Sequence, residues 1–299
     1  MYLTLFIIVA GLVAVSALWA FRIWLTRTSK KQLYDALYSM DWGDITTNNY
    51  GFAPAATQGE EQYQLQMYEE VYKRLQASGD LDTPLRVLEV SCGRGGGLNY
   101  LADRLGNGHL IVGYDWSLNA LKFCRNRYAN NPAINFVRGS ALSLPFQAEA
   151  FDVVVNVEAS NDYKGDSTFI TEVSRILRPD GLFVFADSRS LARLSALEQS
   201  LEANSLRGEL SDITDNVVEA CRLDSPRRQQ LIRARLPWYG RWLLERRLAH
   251  WAGVEGSEKF ERLRLRKRIY FMGCLTKRAP RSSGSNNIHA EAPQTAAAA

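Results

Sequence analysis

From Leu85 onward, short apolar runs alternate with segments in which apolar residues recur every three or four positions. The runs "LRVLEV", "HLIVGYD", "INFVRG", "FDVVVNV" and "LFVFAD" are β-branched or aromatic and too short for helices, so they predict strands. Between them, "GLNYLADRL", "SLNALKFCRNRYA" and "STFITEVSRILRPDG" carry helical spacing, the last closing on a Pro-Asp-Gly stop. A further helical segment, "EEQYQLQMYEEVYKRLQAS", precedes the first strand, and a last strand, "RIYFMGCLTKR", follows a long helical stretch. Such alternation predicts a largely parallel sheet covered by helices on both faces. Ligands bind these sheets beyond the carboxyl ends of the strands, and Glu89, Asp115, Glu158 and Asp187 fall near four such ends.

The ends of the chain break this pattern. Leu3 to Leu25 is a run of 23 residues interrupted only by Arg22. As a helix rising about 1.5 Å per residue it is long enough to cross a bilayer core. A cleaved signal peptide usually has basic residues before a shorter apolar core. Here Arg22, Arg27, Lys30 and Lys31 come at its end or after it, with Trp19 and Trp24 near the boundary, so an uncleaved single-pass anchor is expected. The positive-inside bias then places the rest in the cytoplasm. The final "APRSSGSNNIHAEAPQTAAAA" lacks the apolar residues to fold and reads as a loose tail. The chain thus divides into an anchor with its basic flank (1–31), an N-terminal helical lid segment (32–84), the main domain (85–279) and the tail (280–299).

Four cysteines (Cys92, Cys124, Cys221, Cys274) show no metal or disulfide spacing, and three histidines are too few for a His-rich metal centre. The chemistry instead gathers at "LEVSCGRGGG". Glycines after a first strand allow a tight turn and close approach of a ligand. Counting from Gly93, the third position of a dinucleotide fingerprint is Leu98, and Glu89 would be a poor neighbour for a diphosphate. S-Adenosylmethionine (SAM) has no phosphate and carries a sulfonium and an ammonium group, for which a nearby carboxylate is favourable. Asp115, 20 residues past Gly95, suits a ribose diol in either cofactor.

"VLEVSCGRGGG", "GYDWS", "LPFQAEAFDVVVNVEAS" and "EVSRILRPDG" resemble the successive motifs of class I SAM-dependent methyltransferases. The resemblance covers about Asp41 to Arg278. "NNYGF", "NVEASNDY", "FADSR" and "DITDNV" look closest to the phthiotriolone/phenolphthiotriolone dimycocerosates methyltransferases, lipid O-methyltransferases related to sterol methyltransferases. It implies an α/β, Rossmann-like fold with a mostly parallel seven-stranded sheet and a helical cap (216–265) before the last strand. It also implies SAM as cofactor, with contacts from Glu89, Gly93 and Gly95 and a ribose contact from Asp115; Ser91, Trp116, Ser140, Ala141, Asn156 and Tyr50 are further candidates around it. The family commonly has glycine at Ser91, Asp at Ser140, and often histidine at Asn161.

Without that histidine, Glu158, Asp162 and Asp187 are the candidate bases for an alcohol acceptor, with Tyr163 able to orient it. Tyr50 and Phe52 offer aromatic faces to a sulfonium, worth roughly 0.5–2 kcal/mol each. From Arg222 to Arg278 there are 16 Lys/Arg against five Asp/Glu, a net of +11 in a chain of +4. These charges are interleaved with Trp238, Tyr239, Trp242 and Trp251, which suits anionic headgroups and a lipid-like substrate arriving from the membrane. No nucleic-acid-binding motif is present. The expected function is membrane-anchored SAM-dependent methyl transfer to a hydroxyl, less readily a carbon, of a lipid, polyketide or isoprenoid-like molecule. The alternatives are a non-catalytic SAM-binding scaffold and, less favoured, a nicotinamide oxidoreductase.

Overall fold

The computed structural model describes residues 30–79, 81–236 and 238–278, together with Ser16. Apart from Ser16, the expected anchor at Leu3–Leu25 lies outside the described residues, as does the tail at 280–299. Among those described, no helix is long and apolar enough to cross a membrane.

The strands are β1 (Arg86–Val90), β2 (Leu110–Asp115), β3 (Ile134–Arg138), β4 (Phe151–Val157), β5 (Leu177–Arg189), β6 (Leu206–Arg207), β7 (Leu210–Asp212) and β8 (Ile269–Lys277). They form one sheet in the order β3-β2-β1-β4-β5-β8-β6, with β7 also paired to β8. The first five are parallel, and β8 runs antiparallel to β5, β6 and β7. The sheet is therefore mixed, with eight strands where seven were expected. The extra strand comes from an interruption: Arg207 pairs with Thr276 and Leu210 with Gly273, so β6 and β7 continue one register across Gly208–Glu209. A Cβ on Gly208 would stand 2.4 Å from the Cys274 carbonyl oxygen, so the break is where the backbones press together.

The helices are α1 (Lys30–Ser39), α2 (Gln62–Ser78), α3 (Gly96–Leu105), α4 (Leu118–Arg127), α5 (Asp166–Ile176), α6 (Leu191–Ala203), α7 (Thr214–Arg235), α8 (Trp238–Trp251) and α9 (Glu258–Arg264). The Pro-Asp-Gly signal does not sit at the end of α5. That helix stops at Ile176, and Pro179–Gly181 form a bulge inside β5, shifting its register between Phe151 and Val153. Asp180 takes a left-handed φ of 58° there.

Period-two alternation sorts the strand side chains into two cores. Val87, Val153, Val155, Leu182, Val184 and Met272 pack on one face with Met67, Val71 and Leu75 of α2 and Leu98 and Leu101 of α3. Leu88, Val154, Phe183, Phe185 and Phe271 pack on the other with Phe169, Ile170 and Val173 of α5. With both faces buried, the strands read as continuous apolar runs. The region expected as a cap holds α7, α8 and α9. A third cluster joins Ile232, Leu236 and Leu248 of this region to Leu37 and Trp42, so the N-terminal segment and the cap close over the sheet together.

Candidate active site

The carboxyl ends of the parallel strands open into a cleft of about 1110 Å³, roofed by α1, the segment around Trp42–Tyr50 and the cap helices. Tyr50, Ser91, Gly93, Asp115, Trp116, Ser140, Ala141, Glu158 and Asp162 all stand on its wall. This convergence follows from strand order, since β1 lies between β2 and β4.

One half of the cleft lies over β1 and β2. The β1–α3 loop turns through left-handed residues at Ser91, Gly93 and Gly95 (φ 62°, 55° and 75°). Gly93 N–H donates to Asp115 Oδ2 (2.9 Å) and Ser117 N–H to Asp115 Oδ1 (2.8 Å). Burial raises the Asp115 pKa, while these amides oppose the rise. The Trp116 amide also opposes the rise, and since a carboxylate has about four acceptor sites, Asp115 keeps capacity for about one further donor. Glu89 is 1% exposed and stands behind the wall rather than on it. Its Oε1 accepts from the Tyr68 hydroxyl (2.7 Å), and its buried Oε2 has no partner. Burial pushes its pKa up to about 8, against the Tyr68 bond, with Asp115 adding to the rise.

The other half lies over β4, β5 and β8. Glu158 leaves β4 with φ 51°, and its Oε1 accepts from Tyr50 N–H (2.6 Å) and the Tyr270 hydroxyl (2.7 Å). Burial pushes this carboxyl up to about 7, with those two bonds and Lys259 opposing it and Asp187 reinforcing it. Asp162 is exposed on the wall, and Tyr34 of α1 hydrogen-bonds to it. Burial, followed by the charges of Asp162 and Glu158, raises the Tyr34 pKa.

Three other expected residues take structural positions away from the wall. Asp187 is fully buried and accepts from Ser160 Oγ (2.7 Å), Asn161 N–H (2.8 Å), Asn161 Nδ2 (2.8 Å) and Ser188 N–H (2.7 Å). It also pairs with buried Arg189 at 3.2 Å. With its oxygens committed, Asp187 holds the Ser160–Asp162 turn instead of facing a substrate. Asn156 ties two strand ends, donating to the Val90 carbonyl (2.8 Å) and the Tyr163 hydroxyl (3.2 Å). Gly95 precedes α3, where a Cβ would meet the Tyr128 ring at 2.9 Å. Phe52 packs against the larger core, whereas Tyr50 faces the cleft. The Ser140 hydroxyl already accepts from Leu142 N–H (3.3 Å).

The tyrosines that complete the site were not legible beforehand. Tyr34, Tyr38 and Tyr68 line the cleft, and Tyr270 anchors Glu158. Tyr68 shares a helical face with buried Gln64, Val71 and Leu75, where an aromatic looks like ordinary core. Among the described residues, no group of three His, Cys, Asp or Glu is placed to hold a metal ion.

The first half of this cleft fits SAM. The unpartnered buried oxygen of Glu89 lies just behind this wall, where negative charge favours a cation, the left-handed loop brings backbone close, and Asp115 retains acceptor capacity toward a ribose hydroxyl. A sheet of this order with such a loop defines a class I methyltransferase. Residues 88–185 match a methyltransferase domain model. The phthiotriol/phenolphthiotriol dimycocerosates methyltransferase of Mycobacterium tuberculosis is 38% identical over 194 residues, 64% of this chain and 69% of that protein. A probable enzyme of the same description from Mycobacterium ulcerans is matched over 64% of its length, just under two thirds. A fatty-acid O-methyltransferase of Mycolicibacterium smegmatis is 35% identical, covering 61% of this chain and 68% of that one. The solved structure of a geranyl diphosphate methyltransferase in complex with SAM superposes with a TM-score of 0.57 at 16% identity, over 78% of this chain and 99% of that chain. The chain belongs to the SAM-dependent methyltransferase family.

Proposed function

We propose that the protein O-methylates a hydroxyl of a long, lipid-like molecule at a membrane surface, with Glu158 as the base. When bound, SAM supplies an electrophilic methyl group on a cationic sulfur. Gly93 and Asp115 would hold it, with Glu89 behind them; Tyr50 and Glu158 face the acceptor. The observation that carries this reading is Glu158: an acid on the cleft wall with a pKa near 7, both of its hydrogen bonds on Oε1. Among the described residues none bonds to Oε2, which leaves that oxygen to take a proton from an alcohol. A general base works best with a pKa near the operating pH.

Leu231, Ile232, Leu248, Trp251 and Leu263 give the cap side of the cleft an apolar lining suited to an acyl or isoprenoid chain. The lipid substrates named for the relatives support this choice. The Leu3–Leu25 run, read as an anchor, supports the location. The test is to incubate the protein with labelled SAM and a total lipid extract, then identify by mass spectrometry any species that gains one CH₂. Tight SAM binding with no methylated lipid would favour a scaffold role.

A further inference from the structure

We propose that the acceptor half of the cleft binds an anionic group, a carboxylate or phosphate carried on an apolar chain, with Arg268 as its principal contact. This rests on reading the cleft as a lipid site and adds the charge of the lipid. Arg268 precedes β8 and lines the cleft, partly buried. Its guanidinium donates to the Ser188 carbonyl (2.6 Å) and the Ser188 hydroxyl (3.0 Å from Nη2, 3.3 Å from Nε). Both acceptors are neutral, and among the described residues no carboxylate forms an ion pair with it. Asp187 draws on its charge, but that carboxylate is committed to Arg189 and the Ser160–Asp162 turn.

The surroundings add positive charge. Lys259 and Arg262 of α9 line the same cleft. Lys259 Nζ sits 5.7 Å from the centre of the Tyr50 ring. Arg262 has one loose pair, to Glu258 at 3.7 Å. Burial lowers the Arg268 pKa, and Arg262 and Arg189 lower it further. A half-buried cation crowded by like charge and holding only neutral acceptors is costly unless an anion joins it. The contrast with the arginines of α7 is informative. Arg227, Arg228, Arg233 and Arg235 each pair with an acid, to Asp224, Asp224, Glu245 and Asp41 respectively. Arg268, by contrast, holds only neutral acceptors and lines the substrate's space. An anion near the hydroxyl would fix a flexible lipid at its polar end, while the apolar lining holds its chain.

The experiment titrates the full chain, saturated with S-adenosylhomocysteine (SAH), with dodecanol, dodecanoate and dodecyl phosphate below their micellar concentrations. The expected result is binding of at least one anion about tenfold or more tighter than dodecanol, as charge-assisted bonds to a guanidinium provide. Preference between the two anions identifies the group as carboxylate or phosphate. Arg268→Gln should bring the anions to within about twofold of the alcohol while SAH affinity is unchanged. If that variant does not fold, Arg262→Gln should still reduce the preference by about threefold or more. Dodecanol binding as tightly as both anions would overturn the proposal and leave the lipid reading intact. Failure of all three to bind would overturn the lipid reading as well.

Discussion

Glu89 and Glu158 are acids held above their ordinary pKa, and this has measurable consequences. In each, burial favours the neutral form in the folded protein relative to the unfolded chain. Their contribution to stability is thus present below about pH 4.5 and is lost as pH rises through about 7 for Glu158 and about 8 for Glu89. Within that window the slope is about 1.4 kcal/mol per pH unit for each acid. Urea melts at several pH values should show the ligand-free protein weakening as pH climbs, and Glu89→Gln should flatten the upper part of the curve. If the SAM ammonium pairs with Glu89, binding SAH near pH 7 should expel close to one proton. Calorimetry in buffers of different ionisation enthalpy would count it; no buffer dependence would remove Glu89 from the cofactor site. For Glu158, the deprotonated form is the active one, so kcat/KM should rise with pH and level off above about 7. Glu158→Gln should cost about 10²–10⁴-fold in kcat. Tyr270→Phe removes a bond that lowers this pKa and should move the acid limb upward.

At the scale of single elements, the β1–α3 loop shows what can be read from residues and what cannot. Its glycines announce a tight turn, but Ser91 hides the fact that its own position is left-handed. The structure supplies a compensation: Ser91 Oγ lies 2.5 Å from the Tyr163 hydroxyl. A non-glycine residue in this conformation costs about 1–2 kcal/mol, and one hydrogen bond returns about 1. Ser91→Gly should therefore be nearly neutral, whereas Ser91→Ala, which keeps the strain and loses the bond, should destabilise by about 1 kcal/mol. Denaturant melts would separate the two variants. The parallel strands were legible because both faces are apolar. The broken β6–β7 edge, "LRGELSD", was not, since its few apolar residues leave no alternation to detect. The tyrosine partners of Glu89 and Glu158 were hidden for another reason: they reach the site from α2 and β8, and only tertiary packing brings them there.

Across the whole molecule, the +11 of residues 222–278 was legible as composition, but its distribution was not. Several of the cap's arginines are turned inward or neutralised: Arg228 is 6% exposed and reaches the Tyr50 carbonyl (2.7 Å) as well as Asp224. Neutralising Arg227, Arg228, Arg233 and Arg235 would therefore test folding as much as lipid attraction. Arg241 and Arg246 are exposed on α8 and have no ion pair among the described residues. If the cap faces an anionic surface, neutralising both should cost about 2 kcal/mol of vesicle binding, about 30-fold, without changing the melting point. Unchanged sedimentation with anionic vesicles would detach the cap from the membrane.

The bond from Tyr50 N–H to Glu158 makes the roof of the cleft part of the base's own environment. Should the roof lift to admit a long chain, Glu158 would shed one of the contacts that keep it ionised and would pick up a proton near neutrality. Chemistry would then be switched off while the entrance is open and restored on closing, with no separate sensor. Asn49→Ala, which removes the side-chain acceptor of Gly51 N–H (2.8 Å) and so slackens that roof, should push the acid limb to higher pH. An unmoved limb would mean that access and ionisation are independent.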